Sequence, residues 1–137
     1  MKRHVILDTG PLVAFINRRD RYHGWSKQQW SHIHPPLLTC DAVLSEACFL
    51  LRDIDGGQSI VLELLKRGAL TLPFRIEDSV NQIMWLLQKY SDIPMSLADA
   101  CLVRMSELYA ESSLLTLDDD FRIYRKNKRH IIPILTP

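Results

Sequence analysis

The sequence is poor in the residues that build disulfide or zinc frameworks. Its 137 residues include three cysteines, Cys40, Cys48 and Cys101, which lie in apolar surroundings and have no CxxC spacing. An odd number of cysteines in this pattern argues against a disulfide framework and against a zinc ribbon. We therefore expect free thiols and a reducing, cytoplasmic location.

Long apolar runs are also missing. The first one reaches only Leu7 before Asp8 interrupts it, which is too short for a signal peptide. No later stretch approaches the roughly 20 apolar residues that span a bilayer. Glycine is scarce as well, and Gly56-Gly57 lacks the flanking lysine and further glycines of a phosphate-binding loop. The sequence predicts no membrane partner and no P-loop nucleotide site.

Charge of one sign is not in excess. Seventeen basic residues stand against sixteen acidic ones, and a net charge of +1 neither indicates nor excludes a nucleic-acid binder. Basic residues nevertheless cluster over 122–130, directly after the run Asp118-Asp119-Asp120. This cluster is either a solvated helix face or a rim that guides phosphate, and its candidate nucleic-acid contacts are Arg122, Arg125 and Lys126.

The pattern of apolar residues predicts an α/β domain. A hydrophobic fraction of 47% and a charged fraction of 24% are ordinary for a globular protein, and the length suits one domain over residues 1–137. Short apolar runs alternate with segments of helical periodicity, which is typical of βαβ units and a parallel sheet. The predicted strands are 4–7, 37–39, 69–72, 113–117 and 131–134.

Helices fill the intervals between these strands. Their starts and ends are indicated by capping residues, by glycine and proline, and by apolar residues three and four positions apart. Asp41 is the expected N-cap of the third helix. The predicted helices are 11–17, one that contains Trp25 and Trp30, 41–52, 58–67, 76–90, 98–109 and a short one over 119–126.

Four carboxylates stand at the ends of strands or on helices of this pattern. Asp8 and Asp118 end strands, whereas Glu46 and Asp99 lie on helices. Ligands of parallel sheets bind outside the carboxyl ends of the strands, where Asp8 and Asp118 are expected to lie. Two carboxylates about 4 Å apart repel each other by about 4 kcal/mol at an effective dielectric of 20. A converging quartet therefore predicts a site for divalent cations.

Three of these acids also have a structural explanation. Asp8 and Asp118 could cap the helices that follow their strands. Ser96-Leu97-Ala98-Asp99 has the spacing of a capping box, in which the acidic side chain reaches back to the N-cap amide. Capping and metal binding both stay open for these residues.

Glu46 is harder to explain as a structural residue. On a helical wheel it falls among Ala42, Phe49 and Leu50, on an apolar arc of the helix over 41–52. A carboxylate buried there without a partner would be costly, so it needs a cation, a hydrogen-bonded partner or a polar cleft. Of the four acids, Glu46 most favours a functional site.

Taken together, the motifs around the four acids resemble those of a known family. In order and spacing they are similar to the acidic motifs of PIN-domain ribonucleases, and most similar to those of the VapC-type toxins of prokaryotic toxin-antitoxin systems. The resemblance spans nearly the whole chain. It rests on Val5-Ile6-Leu7-Asp8-Thr9-Gly10-Pro11-Leu12, Ser45-Glu46-Ala47, Leu97-Ala98-Asp99-Ala100 and Leu115-Thr116-Leu117-Asp118-Asp119-Asp120-Phe121.

The resemblance implies a three-layer α/β/α domain that hydrolyses RNA with Mg²⁺ or Mn²⁺. Asp8, Glu46, Asp99 and Asp118 would be catalytic and would bind the metal, with Asp120 as an additional acid. Thr9 and Thr116 match positions that support the site through hydroxyl hydrogen bonds. A cognate antitoxin and a second copy of the chain are implied as protein partners.

Two other functions compete with this hypothesis. A catalytically silent scaffold could use the same surface to bind protein or RNA, but it would have no need to keep four mutually repelling acids. A phosphatase with Asp8 as nucleophile would need a second functional group close by, and Thr9-Gly10-Pro11 does not supply a DxD pattern. Oxygen ligands suit Mg²⁺, and the residue types therefore favour the metal-dependent nuclease.

Overall fold

A parallel five-stranded sheet forms the centre of the computed structural model, which describes residues 3–137. All four neighbouring strand pairs of this sheet are parallel, and the two strands outside it form an antiparallel hairpin, β5–β6. The prediction of a mostly parallel sheet is confirmed. The strands are β1 (His4–Leu7), β2 (Leu37–Leu38), β3 (Leu70–Thr71), β4 (Ser112–Leu115), β5 (Arg125–Lys126), β6 (His130–Ile131) and β7 (Ile134–Leu135).

The strand order is β3-β2-β1-β4-β7. The chain moves outward from β1 through β2 to β3 and then returns to the other side of β1 as β4. The register pairs His4 with Ser112 and Leu7 with Leu115, so β1 and β4 end side by side. The strand order reverses at this point, which is where open α/β sheets bind ligands.

Helices flank the sheet and complete the predicted α/β/α architecture. Two short 3-10 helices, Ile76–Ser79 and Asp119–Arg122, add to six α-helices. The α-helices are α1 (Thr9–Ile16), α2 (His23–Ser31), α3 (Asp41–Leu50), α4 (Gly57–Lys66), α5 (Val80–Lys89) and α6 (Leu97–Leu108).

The core packs around β1 and β4. Ile6, Leu7, Leu114 and Leu115 are almost completely buried, as expected for parallel strands that are covered on both faces. The buried apolar side chains form one cluster that extends to Ile132. The residues that directly follow β1 and β4 are thus anchored to the buried core of the molecule.

The segment after Asp118 differs from its prediction. The helix expected over 119–126 ends at Arg122, and the chain turns into the β5–β6 hairpin. Asn127 and Lys128 have positive φ angles of 50° and 71°, a turn conformation that asparagine adopts readily. The strand predicted over 131–134 is also wrong, because Pro133 has no N–H to donate and separates β6 from β7.

Several helix starts, those of α1 and α3 among them, shift by one or two residues. α1 begins at Thr9, earlier than predicted, because the Asp8 carboxylate caps it. Cys40 is the N-cap of α3, and Asp41, the expected cap, is the first helical residue. Such shifts are common at helix ends and leave the face that each helix presents unchanged.

Two negative expectations can be compared with the structure. Cys40, Cys48 and Cys101 are free cysteines, as predicted. Across residues 3–137, every helix is too short or too polar to cross a bilayer. That one domain covers residues 1–137 stays a prediction.

Thr39 provides a test of how β1 and β2 are held together. Its buried hydroxyl donates to the carbonyl oxygen of Leu7, with an Oγ1 to O distance of 2.8 Å. Thr39→Val keeps the shape but removes the donor, so we expect the free energy of unfolding to fall by about 1–3 kcal/mol. Urea denaturation measures the loss, and Thr71→Val, on the outer strand β3, is the control. Equal losses in both variants would contradict this assignment.

Candidate active site

Asp8 is the structural centre of the site. It directly follows β1, is only 7% exposed and caps α1. Its Oδ1 accepts a hydrogen bond from the Thr9 N–H at 2.7 Å, and its Oδ2 accepts one from the Thr116 hydroxyl at 2.7 Å. The Thr116 Oγ1 in turn accepts from the Asp118 N–H at 3.0 Å. One buried hydroxyl therefore ties together the ends of β1 and β4.

The aspartates after β4 divide into two environments. Asp118 Oδ1 accepts from the Asp120 N–H at 2.9 Å and caps the 3-10 helix. Asp118 and Asp119 line the cleft described below. Asp120 is half-buried, and its carbonyl oxygen accepts from the N–H groups of Ile123 and Tyr124. Its assignment to the metal site stays a prediction.

Asp99 is held in place by the first turn of α6 and by a tyrosine. The Asp99 N–H donates to Ser96 Oγ at 3.0 Å, and Asp99 Oδ2 accepts from the Ser96 N–H at 3.4 Å, so the predicted capping box is confirmed. The Tyr124 hydroxyl donates to the same Oδ2 at 3.1 Å. The cap thus coexists with a further contact that orients the carboxylate.

Sequence reasoning missed Tyr124. Its ring is fully buried and packs edge-on against Tyr90 and Phe121, with centroid distances of 5.0 and 5.2 Å. Burial and the negative charge of Asp99 raise the pKa of the Tyr124 hydroxyl, which therefore stays protonated and donates. A tyrosine within a presumed surface helix gave no signal, because its partner lies 25 residues away in sequence.

Glu46 reaches the site from the exposed side of α3. The prediction that its apolar arc faces inward is wrong, since Phe49 is 60% and Leu50 51% exposed. Val43 and Ala47 instead face the core, because α3 is apolar on two sides and only one of them can pack on the sheet. Glu46 nevertheless lines the same cleft as the aspartates.

These segments meet around an open cleft of about 500 Å³. A Cβ added to Gly10 would lie 3.3 Å from Leu117, so glycine lets α1 approach the loop after β4. All four acids predicted to be catalytic lie on the cleft wall, although they come from four separate parts of the sequence. The lining residues are Asp8, Thr9, Gly10, Glu46, Leu50, Asp99, Leu117, Asp118 and Asp119.

Comparison with known proteins identifies the family. A family model of the PIN domain matches residues 5–127. The chain belongs to the PIN domain family. A search of curated proteins finds no match to it.

A solved structure has the same fold as this PIN domain. The crystal structure of VapC20 from Mycobacterium tuberculosis, described as a toxin that cleaves the sarcin-ricin loop, matches with a TM-score of 0.79. The two sequences are 21% identical, and the match covers 94% of this chain and 99% of VapC20. The predicted PIN-like architecture is thereby confirmed over nearly the whole chain.

The electrostatics of the PIN cleft favour a cation. Burial raises the pKa of Asp8 from 3.8 to about 6, and the negative charges of Asp99 and Asp118 add to the shift. Burial raises the pKa of Asp99 as well. Desolvation is the main cause of both shifts, and a bound cation would oppose it by favouring the ionised carboxylates.

The acids do not form a complete metal cage by themselves. Within residues 3–137, no group of three or more His, Cys, Asp or Glu side chains is arranged to hold a metal ion. Thr9 Oγ1 is the one buried side-chain oxygen or nitrogen in this part of the chain that has no hydrogen-bond partner. Because Mg²⁺ keeps several waters when it binds to proteins, an incomplete ligand set and an unsatisfied hydroxyl beside it both suit a hydrated ion.

The three basic residues predicted to contact nucleic acid have different surroundings. Arg122 is exposed, with its Nε 3.6 Å from Asp119 Oδ1. Arg125 Nη1 donates to the carbonyl oxygens of Arg122, Ile123 and Tyr124, and so braces the turn before β5. Lys126 is half-buried in β5. Contact with nucleic acid stays a prediction for all three.

The raised pKa of Asp8 predicts a pH-dependent stability. The folded state holds the proton up to about pH 6, whereas the unfolded state releases it near 3.8. The contribution of Asp8 to the free energy of unfolding is therefore largest below about pH 4. It is lost as the pH rises through 6, by about 3 kcal/mol at most. Urea denaturation in EDTA between pH 4 and 7.5 measures the loss, which should be smaller in Asp8→Asn, where Asp99 is left as a carboxyl with a raised pKa. Parallel pH profiles for the two proteins would contradict the shift.

The hydrogen bond from Tyr124 to Asp99 can be measured by a double-mutant cycle. We expect Tyr124→Phe and Asp99→Ala to interact with a coupling free energy above about 0.5 kcal/mol, because the two side chains are in direct contact. Thermal or urea unfolding of the single and double variants gives this value. Tyr109→Phe, at the far end of α6, is the control and should show no coupling to Asp99→Ala.

Proposed function

We propose that the protein is an endoribonuclease that depends on Mg²⁺ or Mn²⁺. The observation that carries the proposal is the convergence of Asp8, Glu46, Asp99 and Asp118 on one open cleft, at the point where the strand order reverses. Membership of the PIN domain family supports the same activity.

The residues of the cleft fit a hydrated divalent cation. All candidate ligands are carboxylate oxygens, which Mg²⁺ and Mn²⁺ prefer. Thr9 Oγ1 would find its missing partner in a water of the ion's hydration shell. When bound, such an ion would lower the pKa of the attacking water and stabilise the charge that develops on the leaving oxygen.

The four acids differ in how firmly they are held. Asp8 is fixed by the Thr9 N–H and the Thr116 hydroxyl, and Asp99 by Tyr124, so these two would form the rigid part of the metal site. Glu46 would approach from the exposed face of α3. Asp118 would either hold a second ion or orient the water, with Asp120 as an additional acid.

We further propose that this nuclease is the toxin of a toxin-antitoxin pair in the cytoplasm. The similarity in fold to VapC20, which is described as a toxin, supports this role, and the three free thiols suit a reducing compartment. Exposed Phe49 and Leu50 beside the carboxylates offer apolar surface to an antitoxin. An arginine of that partner could pair with the acids. Homodimer formation stays a prediction, which light scattering can test.

Cleavage of RNA by purified protein tests the proposal. Asp8→Asn and Asp99→Asn should each lower the rate at least about 100-fold, because each removes an anionic ligand that would hold the divalent cation. EDTA should stop the reaction, and Mg²⁺ or Mn²⁺ should restore it. Asp92→Asn, an exposed aspartate in the loop before α6, is the control and should cleave normally. Folded Asp8→Asn and Asp99→Asn proteins that cleave like the wild type would refute the assignment.

A catalytically silent scaffold remains the second candidate. The observation in its favour is the lack of a ready-made group of three metal ligands within residues 3–137. Calorimetric titration with Mn²⁺ separates the two functions. No binding to the wild type, or unchanged binding to Glu46→Gln, would favour the scaffold.

A further inference from the structure

A second cavity, of about 330 Å³, lies between α5, α6 and the β5–β6 hairpin. It differs from the acidic cleft in its chemistry, because it combines an aromatic ring, amide groups and basic side chains. We call it the Trp85 pocket, and its wall includes Asn81, Trp85, Arg104, Glu107, Asn127 and Lys128.

Trp85 presents its ring between two lysines. The indole side chain is 39% exposed, although tryptophan usually buries most of its apolar surface. Lys128 Nζ lies 5.3 Å and Lys89 Nζ 5.7 Å from the centre of the ring, both within the distance of a cation–π contact. An exposed ring with two flexible lysines beside it offers a stacking surface for a base, provided that the ammonium groups move from the ring to the adjoining phosphates.

The acidic residue of the pocket is already neutralised. Glu107 Oε1 accepts from Arg104 Nη1 at 3.2 Å, its Oε2 accepts from the Asn127 N–H at 2.6 Å, and its side chain is only 11% exposed. Arg104 Nε also donates to Ser79 Oγ at 3.0 Å. These bonds fix the hairpin against α6 and hold Lys128 above Trp85, so the groups that face solvent carry net positive charge.

The Trp85 pocket lies along the same helix as the acidic cleft. Arg104 and Glu107 are about 8 and 12 Å further along α6 than Asp99, at 1.5 Å per residue. The segment that leads into the β5–β6 hairpin runs alongside α6, because Tyr124 contacts Asp99 and Asn127 contacts Glu107. A short stretch of RNA could therefore contact both sites.

We propose that the Trp85 pocket binds one nucleotide of the RNA substrate, with Trp85 stacked on its base and Lys128, in the pocket wall, contacting its phosphate. Lys89 lies near the ring but outside the pocket wall, where it would contact an adjoining phosphate. Asn81 offers an amide donor and acceptor to the base edge. The inference rests on the proposed ribonuclease function, since RNA is the ligand in both. It adds a substrate contact that lies outside the acidic cleft.

Binding of RNA to protein that cannot cleave it tests the pocket. In an Asp8→Asn background with Mg²⁺, a labelled single-stranded RNA of mixed sequence is titrated and followed by fluorescence anisotropy. Trp85→Leu should raise the Kd about fivefold or more, because it removes the stacking surface, whereas Trp85→Phe should retain most of the affinity. Met84→Ala is the matched control, since Met84 is 62% exposed on the same helix and lies outside the pocket lining.

The lysine contact has its own measurement. The logarithm of the association constant falls as the logarithm of the salt concentration rises. Lys128→Gln should make this slope shallower by about 0.7, the value for one phosphate contact to a single strand. Lys66→Gln, at the end of α4, should leave the slope unchanged. Thermal unfolding of each variant shows that it is folded.

The outcomes separate this inference from the proposed function. If Trp85→Leu leaves the RNA affinity unchanged, or if the Asp8→Asn protein does not bind RNA, the pocket is not an RNA-binding site. Trp85 would then be an exposed residue available for contact with a protein. Cleavage by the wild type is measured in parallel. A wild type that does not cleave RNA, together with Trp85-dependent binding, rejects the nuclease but keeps the pocket as an RNA-binding site.

Discussion

The hydrogen bond between Thr116 and Asp8 is the contact around which the candidate active site is built. Parallel pairing of β1 with β4 brings the two residues together from positions 108 apart in sequence. Because both are buried, a carboxylate at this point must be hydrogen-bonded, and the Thr116 hydroxyl and the Thr9 amide satisfy that need. The loop that carries Asp118 is then positioned by the same hydroxyl. A site assembled from distant segments thus depends on the register of one strand pair.

Three of the four acids combine a capping role with the proposed metal-binding role. Asp8 caps α1, Asp99 completes the capping box of α6, and Asp118 caps the 3-10 helix. Each cap contributes about 1 kcal/mol and fixes the carboxylate near the helix amides, which partly offsets the burial of charge. The pKa of Asp8 remains raised despite these bonds, because desolvation outweighs them. The fold therefore holds a charge that it does not fully stabilise, as expected of a site that awaits a cation.

The parts of the structure that follow from local pattern could be predicted from sequence, and those that depend on distant contacts could not. The strands that precede Asp8 and Asp118, and the cap at Asp99, have local signals. No local signal predicts which way the Glu46 side chain points, because α3 is apolar on two sides and a helical wheel cannot show which side packs on the sheet. The role of Tyr124 has no local signal either, because the fold brings it to Asp99, which lies 25 residues away in sequence. Pro133 is a local signal against a continuous strand over 131–134, because it has no N–H to donate to a neighbouring strand.

The β5–β6 hairpin connects the two ends of α6. Tyr124 at its start contacts Asp99, and Asn127 at its turn contacts Glu107, so the hairpin is bound to the helix at both points. Between these two points the Arg125 side chain donates to three carbonyl oxygens of the same segment. A ligand that contacted Lys128 in the Trp85 pocket would therefore bind to the same segment whose Tyr124 orients Asp99.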